Sequence, residues 1–535
     1  MTDRHRWWQR GIVYEIYVRS FADADGDGVG DLDGIRTRLD YLAWLGVDAL
    51  WITPFFPSPM VDGGYDVADY TGVEPLFGTL ETFDRLVADA HARSLRVICD
   101  FVPNHTSDRH PWFTASRRSR DDPRRDWYLW RDPGPDGGPP TNWLSEFGGP
   151  AWTLDEATGQ YYYHAFASAQ PDLNWRNPAV REAMYDAMRF WLDRGVDGFR
   201  VDVMWHLLKD EAFRDNPTNP DYRDGEGSPY RRLIPAYSAD QPGVHEVVAE
   251  MRAVLEEYED RVMIGEIYLP VDRLVDYYGS DGDGAHLPFN FHLITTPWDA
   301  REIEVVIDRY EGALPENAWP NWVLGNHDQP RVASRIGDAQ ARVAAVLLLT
   351  LRGTPTLYYG EELGLLDVSI PSQRITDVRE RQQPGRGLGR DPERTPMPWQ
   401  PAPGGGFSRG EPWLPLGEEN LARSVATQRD DRGSMLALHR RLIELRRREA
   451  ALSVGSNRPI PAEGDVLAYR RADGGRELVV ALNLGHTPQR LVLPDALGEL
   501  RVILSATGRA DDAWYRDELP LAANEALVLE PRGGG

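Results

Sequence analysis

The chain has 535 residues, 41% of them hydrophobic and 27% charged, and a net charge of −25. This length exceeds that of one simple domain, and the composition is typical of an ordered globular protein rather than a disordered one. The negative charge argues against nucleic acid or an anionic membrane as a partner, and it suits a neutral substrate such as a sugar.

The single cysteine, Cys99, excludes a disulfide or a cysteine metal site within the chain. It lies in the apolar run 95–99, which predicts a buried and unreactive thiol. Residues 1–11 carry charges and tryptophans instead of an apolar core, so no secretory signal is expected. Because no run of about 18 apolar residues occurs either, we expect a cytoplasmic protein without a membrane span.

An acidic loop, residues 23–31, follows the first predicted strand, residues 12–18. Its oxygen donors alternate as in an EF-hand loop. These donors are Asp23, Asp25, Asp27, the Val29 carbonyl and Asp31. Gly34 stands where an EF-hand has a bidentate Glu, which excludes a true EF-hand. Two interpretations stay open: a structural divalent cation, Ca²⁺ or Mg²⁺, or a solvated acidic turn that caps the next helix.

Strands and helices alternate along most of the chain. The predicted strands are residues 12–18, 47–52, 95–101, the segment from Gly195 that carries Asp202, 261–266, 286–291, 321–325 and 356–359. The predicted helices are residues 34–45, 81–92, 178–193, 243–258, 339–351 and 433–448. Such alternation predicts an α/β protein with a parallel sheet, and eight units make a (β/α)8 TIM barrel the most economical fold.

Two segments interrupt or follow this alternation. Residues 105–177, rich in Pro, Gly, Trp and Tyr, are too long for a connection and predict an inserted domain B after strand 3. After residue 450, short apolar strands separated by turns predict a C-terminal antiparallel β-sandwich. The predicted domains are the first part of the barrel (1–104), domain B (105–177), the second part of the barrel (178–452) and the β-sandwich (453–535).

Three carboxylates follow predicted barrel strands four, five and seven: Asp202, Glu266 and Asp328. The C-terminal ends of barrel strands converge on one mouth, so these side chains should meet there. Arg200 and Asp202 are two residues apart on one strand and therefore share a face. A guanidinium beside Asp202 would keep that carboxylate ionised, as a covalent nucleophile requires.

Carboxylates meeting at a barrel mouth are suited to glycoside cleavage. One attacks the anomeric carbon, and a second, kept protonated, donates to the leaving oxygen. Metal ligation by the same carboxylates with His105 and His327 is the rival interpretation. It is weaker because these histidines lack the spacing of a helical or hairpin ligand set.

Four segments together carry a resemblance to a known family. They are Asp100-Phe101-Val102-Pro103-Asn104-His105, Gly198-Phe199-Arg200-Val201-Asp202, Gly265-Glu266 and Asn326-His327-Asp328. In these motifs and their order the chain resembles the α-amylase family of glycoside hydrolases, family 13, over essentially its whole length. The resemblance implies that Asp202 is the nucleophile, Glu266 the acid/base and Asp328 the transition-state stabiliser. It also implies that Arg200, His105 and His327 bind the glucosyl unit.

Further features resemble the oligo-1,6-glucosidase and α-glucosidase branch, among them the segment 170–174, Gln-Pro-Asp-Leu-Asn. The resemblance implies that the following residues enclose one terminal glucose: Asp62, Tyr65, Phe166, Gln170 and Arg394. For Phe166 and Gln170, ordinary packing within the insertion is the alternative. The loop 23–31 matches a calcium or magnesium site of this branch, remote from the chemistry.

The resulting expectation is a retaining, exo-acting α-glucosidase that hydrolyses short α-glucosides. Its partner would be a small oligosaccharide, its chemistry would need no cofactor, and it would be a monomer or homodimer. The alternative is a glucosyl-transferring relative, such as a trehalose synthase or a sucrose-acting enzyme, which differs in how water is excluded. A non-catalytic transporter heavy chain is disfavoured because all three carboxylates are present. The linkage stays open, although Val203 resembles members that cleave α-1,6 bonds.

Overall fold

Eight parallel strands form the central sheet of the computed structural model, which describes residues 5–225, 227–509 and 513–532. In chain order they are β1 (Val13–Ile16), β2 (Ala49–Ile52), β3 (Arg96–Phe101), β4 (Gly198–Val201), β5 (Val262–Ile267), β6 (Leu287–Asn290), β7 (Asn321–Val323) and β8 (Thr354–Tyr358). Their spatial order is β7-β8-β1-β2-β3-β4-β5-β6. Every neighbour is therefore the next strand along the chain, with β8 beside β1, as in a barrel.

The side chain of Asn321 joins the two remaining edges, β6 and β7. Its Nδ2 donates to the Pro288 carbonyl at 2.6 Å, and its Oδ1 accepts from the Asn290 amide at 2.9 Å. These two bonds replace part of a backbone ladder and close the ring. The predicted (β/α)8 barrel is confirmed.

The longer helices surround the barrel or support it. They are Leu80–His91, Pro111–Arg118, Pro178–Asp193, Val244–Glu256, Ala300–Ala313, Asp338–Thr350 and Met435–Arg448. Shorter ones are Trp7–Arg10, Val18–Phe21, Leu32–Thr37, Leu39–Leu45, Val271–Leu274, His292–Thr295, Val332–Ile336, Val378–Gln382, Glu418–Ala422, Val425–Gln428 and Ala450–Ser453. Among the described residues, none combines the length and apolarity needed to cross a bilayer.

Two expected elements differ from the structure. The single helix expected over 34–45 is two helices that meet at Arg38, whose backbone leaves the helical region (φ −107°, ψ 3°). A tertiary contact holds this break, since the Arg38 guanidinium lies 4.2 Å above the Trp399 ring. The first strand ends at Ile16 instead of residue 18, because Val18 begins a short helix and donates its amide to Thr53 Oγ1.

The insertion after β3 has a small sheet of its own. Its three antiparallel strands lie in the order Trp130–Arg131, Gln160–Tyr163 and Trp152–Asp155. Several of its aromatic side chains are buried, including Trp143, Trp152 and Tyr163, which pack together. The insertion is therefore a folded unit with its own core.

The C-terminal region contains two antiparallel sheets. The larger has the order Ser456–Pro459, Val466–Asp473, Arg476–Asn483, Ala526–Pro531, Leu500–Ser505 and Trp514–Tyr515, and the smaller pairs Gln489–Val492 with Glu518–Leu521. Side chains of both sheets, such as Val479 and Leu519, belong to one apolar cluster. The predicted antiparallel sandwich is confirmed, although the chain forms more strands there than the sequence indicated.

The register of β4 against β5 sets the level of the site residues. Val201 pairs with Gly265, so Asp202 and Glu266 come next on adjacent strands and lie opposite each other. A side chain at Gly265 would require the Met204 side chain to move, because a Cβ there would lie 2.7 Å from the Met204 sulfur. This close packing beneath the mouth holds the two carboxyl-bearing strand ends together.

Candidate active site

Arg200 is the buried centre of the site, with a fully inaccessible side chain. Its Nη1 donates to Asp100 at 2.9 Å and to Asp202 at 2.7 Å, and its Nη2 lies 2.7 Å from Glu266 Oε2. The Val203 amide donates to the same Oε2 at 2.9 Å. Val203 has a left-handed backbone (φ 35°, ψ 48°), which is strained for a β-branched residue and turns its N–H towards Glu266.

Burial dominates the ionisation of the two central carboxyls. It raises the pKa of Asp202 well above its ordinary value, with added repulsion from Glu266 and against the attraction of Arg200. Burial and the charge of Asp328 likewise raise the pKa of Glu266. The expectation that Arg200 keeps Asp202 ionised needs correction, because burial outweighs the attraction of this guanidinium, which Asp100 and Glu266 share. Asp202 and Glu266 form a coupled pair that can retain one proton between them.

Asp328 differs in charge from that pair. Arg394 Nη2 donates to its Oδ1 at 2.6 Å, Arg390 Nη1 donates to the same oxygen at 3.1 Å, and His327 Nε2 lies 3.4 Å from its other oxygen. Burial alone would raise the pKa of Asp328, but His327 and the two arginines more than offset it and hold the pKa below its ordinary value. Asp328 is therefore a permanent carboxylate beside the coupled pair.

Arg390 is a site residue that the sequence reasoning missed. Its Nη2 donates to Asp62 Oδ1 and to Asp377 Oδ1, each at 2.6 Å, while its Nη1 reaches Asp328. The guanidinium thus bridges three carboxylates that come from different loops. Its only sequence signal is its position four residues before Arg394 in the Pro- and Gly-rich segment 371–411, which lacks periodicity.

Aromatic and amide side chains line the same mouth. The Tyr65 hydroxyl donates to Asp100 at 2.9 Å, and its ring stacks on His327 with the centroids 5.3 Å apart and the planes at 10°. Burial lowers the pKa of His327 well below its ordinary value, so this imidazole is neutral. It can therefore act as a hydrogen-bond donor or acceptor without adding charge.

The opposite wall comes from the insertion. Gln170 Nε2 lies 3.1 Å from Asp62 Oδ2 and 3.1 Å from His105 Nε2, and the Phe166 ring lies 5.3 Å from the His105 ring. Burial lowers the pKa of His105, which is likewise neutral. With Arg394, every side chain predicted for catalysis or substrate binding thus belongs to one network of contacts at the barrel mouth.

Two further buried groups support this network. Glu15, at the end of β1, lies 2.6 Å from His327 Nδ1 and is fully inaccessible. Lys209, the only lysine of the chain, donates its ammonium to Asn104 Oδ1 at 2.8 Å and pairs with Asp172. Burial lowers the pKa of Lys209, against the attraction of Asp172. Neither group was singled out by the sequence reasoning.

The acidic loop lies apart from this mouth, and three of its carboxylates converge. Asp23, Asp25 and Asp27 each offer an oxygen within 4.8 Å of the others. The Val29 amide donates to Asp27 Oδ1 at 2.7 Å and folds the loop back towards the cluster. In the described part of the chain, no Lys, Arg or His side chain forms an ion pair with any of these carboxylates.

Asp31 has a different role from those three. Its Oδ1 accepts from the Gly34 amide at 2.6 Å and caps the helix Leu32–Thr37, while its Oδ2 accepts from the Ala24 amide at 2.8 Å. Burial raises the pKa of this carboxyl. The helix-capping interpretation therefore describes Asp31, and the converging donor set consists of the three preceding aspartates.

Comparison with known proteins identifies the family to which the chain belongs. The family model described as the α-amylase catalytic domain matches residues 15–455. A second model, described as a domain of unknown function, matches residues 457–528. A probable alpha-glucosidase of Rhizobium meliloti is 42% identical over 505 residues, which span 91% of each chain. An oligo-1,6-glucosidase of Heyndrickxia coagulans is 38% identical, over 91% of this chain and 94% of the relative.

Solved structures agree with the sequence matches. An alpha-glucosyl transfer enzyme superposes with a TM-score of 0.93 at 40% identity, over 99% of this chain and all of that one. The trehalulose synthase of Pseudomonas mesoacidophila superposes with a TM-score of 0.90 at 35% identity, over 99% and 100% of the two chains. These matches confirm the resemblance inferred from the four motifs. The chain belongs to the α-amylase family of glycoside hydrolases.

Proposed function

We propose that this protein is a retaining, exo-acting α-glucosidase that hydrolyses terminal α-glucosyl residues of short α-glucosides. The observation that carries the proposal is the placement of Asp202 and Glu266 on the two terminal nitrogens of one guanidinium, at the same level of adjacent strands. Adjacent strands lie about 4.8 Å apart. This favours the carboxyl separation of about 5 Å that direct attack needs over the 6.5–9.5 Å that admits a water.

In the proposed mechanism Asp202 attacks the anomeric carbon while Glu266 transfers its proton to the leaving oxygen. The new bond joins an Asp202 oxygen to the sugar as the glycosidic bond breaks. Glu266, now a carboxylate, then takes a proton from water, whose oxygen displaces Asp202. Two inversions at one carbon give net retention.

The contacts of Glu266 suggest which of its oxygens carries the proton. Glu266 Oε2 accepts a hydrogen bond from the Val203 amide and lies beside Arg200 Nη2, so it is the oxygen that bears negative charge. The proton then belongs on Oε1, from which it would pass to the leaving oxygen. When Glu266 has lost its proton, the same two donors stabilise the resulting carboxylate.

The remaining network would hold the glucosyl unit. Asp328, kept ionised, would face the positive charge that develops at the anomeric centre, and neutral His105 and His327 would bind hydroxyls. Asp62 and Arg390 close the far end of the mouth, at 2.6 Å from each other. A closed end admits one terminal glucose and so supports exo action.

The test combines product identity with stereochemistry. The protein is offered maltose, isomaltose, sucrose, trehalose and starch, and fresh product is read by NMR before mutarotation. We expect glucose from the short α-glucosides, released first as the α-anomer. Initial β-glucose would refute the assignment of Asp202 as nucleophile, and the absence of glucose from every substrate would refute the proposed function.

Glucosyl transfer is the second candidate. It is supported by the structural neighbours, whose names describe a transfer enzyme and a trehalulose synthase. The catalytic residues would be the same, and the difference would lie in whether water or a sugar reaches the glucosyl-enzyme. If the same substrates yield more rearranged disaccharide than free glucose, the result would favour glucosyl transfer.

We also propose that the loop 23–31 holds one structural divalent cation, Ca²⁺ or Mg²⁺. Three carboxylates, on Asp23, Asp25 and Asp27, converge without a paired side-chain cation in the described part of the chain. Hard cations prefer such oxygen donors, and one ion would relieve the repulsion between them. The cytoplasmic location and the monomeric or dimeric state stay predictions.

A further inference from the structure

A further carboxyl at the pocket wall, that of Glu146, lies outside the network that would hold the glucosyl unit. Its side chain is 24% exposed, and Glu146 Oε1 lies 4.0 Å from His206 Nε2. The Glu146 amide donates to the Ala165 carbonyl at 2.8 Å, next to Phe166 of that wall, and His206 ends the short turn that follows Asp202. Burial and repulsion from Glu266 raise the pKa of Glu146 to about 7, against the attraction of Arg379 and a hydrogen bond with Tyr230.

His206 is the second member of this group. It is 1% exposed, yet neither of its ring nitrogens has a hydrogen-bond partner among the described residues. Its ring lies 5.6 Å from the ring of Phe166, so it adjoins the pocket wall. Burial and the neighbouring Lys209 lower the pKa of His206 well below its ordinary value, which leaves a neutral imidazole.

Polar atoms from the segment 371–411 complete the group. Gln383 Nε2 approaches the Glu146 carbonyl at 3.5 Å, while its Oε1 is buried without a hydrogen-bond partner in the described chain. Arg379 Nε, one helical turn earlier, is likewise buried without a hydrogen-bond partner in the described chain. A buried polar atom without a partner is costly, so several such atoms on residues near Glu146 are consistent with a site for a hydroxyl-rich ligand.

The proposed role of Glu266 indicates which part of a substrate could reach Glu146, His206 and Gln383. An acid/base touches the leaving oxygen and therefore stands between the transferred glucosyl unit and the leaving group. Asp62, Arg390 and Asp328, which would hold the glucosyl unit, form no hydrogen bond or ion pair with Glu146 in the described part of the chain. Glu146 is therefore separate from the residues that would hold the glucosyl unit.

We propose that Glu146, with His206 and Gln383, binds the hydroxyls of a sugar leaving group and so sets the preference for disaccharides over non-sugar glucosides. This inference rests on the proposed function, and it names the chemistry of the leaving group. The Glu146 carboxyl accepts hydrogen bonds from sugar hydroxyls, and the imidazole and amide supply further partners. A nitrophenyl leaving group has no hydroxyl to offer.

The kinetic test compares substrates that share the glucosyl unit. For wild type, Glu146→Gln and Glu146→Ala, kcat/KM is measured on p-nitrophenyl α-glucoside and on the better of maltose and isomaltose. We expect the ratio of disaccharide to nitrophenyl values to fall about tenfold in Glu146→Ala, and less in Glu146→Gln, as for loss of one hydrogen bond to a charged group. The matched control is Glu156→Gln, an exposed carboxyl of the same insertion, which should keep the wild-type ratio. An unchanged ratio in Glu146→Ala would overturn the inference.

A binding measurement separates this inference from the proposed function. In the Asp202→Asn background, adding Glu146→Ala should weaken calorimetric binding of the disaccharide about tenfold. Binding of glucose should change by less than about twofold, because glucose occupies the other side of Glu266. Equal weakening for both ligands, or for neither, would refute the role of Glu146 whatever the wild type hydrolyses.

Discussion

Replacing Arg390 with Gln removes the one cation that joins Asp62, Asp328 and Asp377. Its side chain is 7% exposed, and its nitrogens lie 2.6 to 3.1 Å from the three carboxylates. The amide keeps some hydrogen-bonding capacity but no charge. Buried carboxylates left without their partner are strongly destabilising, by about 3–5 kcal/mol for one broken buried pair. We therefore expect a loss of unfolding free energy in this range at pH 7, together with lower kcat/KM.

The pKa of Asp377 gives the pH dependence of this effect. Although burial alone would raise it, Arg390 and Arg394 hold it at about 2, below the ordinary 3.8. A pKa of about 2 in the folded protein instead of 3.8 corresponds to about 2 kcal/mol of stability. Because the folded pKa is the lower one, that contribution is complete above about pH 4 and is lost as the pH falls towards 2. The stability gap between wild type and Arg390→Gln should therefore narrow over this window.

The assay is chemical denaturation of both proteins from pH 2 to pH 8, with kinetics on p-nitrophenyl α-glucoside at neutral pH. Arg490→Gln is the matched control, since Arg490 forms an exposed ion pair with Glu518 at 3.1 Å. Exposed pairs contribute about 1 kcal/mol or less. An Arg390→Gln variant within about 1 kcal/mol of wild type at pH 7, with an unchanged pH profile, would refute the reasoning.

Asp202→Asn should lower turnover at least about a thousandfold while the melting temperature stays near that of wild type, because the amide keeps the shape of the nucleophile; activity above that level would remove Asp202 from this role. Thorough chelation should lower the melting temperature of wild type, since an ion bound only to the folded state stabilises it. Asp25→Asn should reduce that shift, and an equal melting temperature with no metal by elemental analysis would count against the site. Burial raises the pKa of Glu15 well above its ordinary value, so Glu15→Gln resembles its protonated form and should be nearly as stable as wild type. Glu15→Leu should lose about 1–3 kcal/mol, because it leaves His327 Nδ1 unpaired; denaturation that ranks the two variants equally would contradict this.

The convergence of the three carboxylates could be predicted because it follows from the fold. Asp202 directly follows β4, Glu266 lies near the end of β5, and Asp328 lies a few residues after β7. Parallel barrel strands present their C-terminal ends at one mouth. The same reasoning cannot find Arg390, Asp377 or Glu146. They come from segments without helical or strand periodicity, and only the folded chain brings them to the mouth.

Charge was harder to predict than position. The spacing of Arg200 and Asp202 correctly placed them in contact, at 2.7 Å. It did not reveal that Asp100 and Glu266 share the same guanidinium, or that burial raises the pKa of Asp202 against the attraction of Arg200. The strand Ser456–Pro459 was not predicted for a different reason. It is mostly exposed, and an exposed polar strand has no apolar alternation in its sequence.

The solitary lysine has a practical consequence for chemical labelling. Lys209 Nζ is enclosed by Asn104, Asp172 and the His206 carbonyl, and its side chain is 2% exposed. Acylating reagents that modify side-chain amines need an accessible, unprotonated nitrogen. The single lysine amine of this chain is buried in the native protein. Modification of Lys209 would therefore require the residues that enclose its amine to separate. The rate of modification at this single position, followed by mass spectrometry, would therefore report how often this part of the native structure opens.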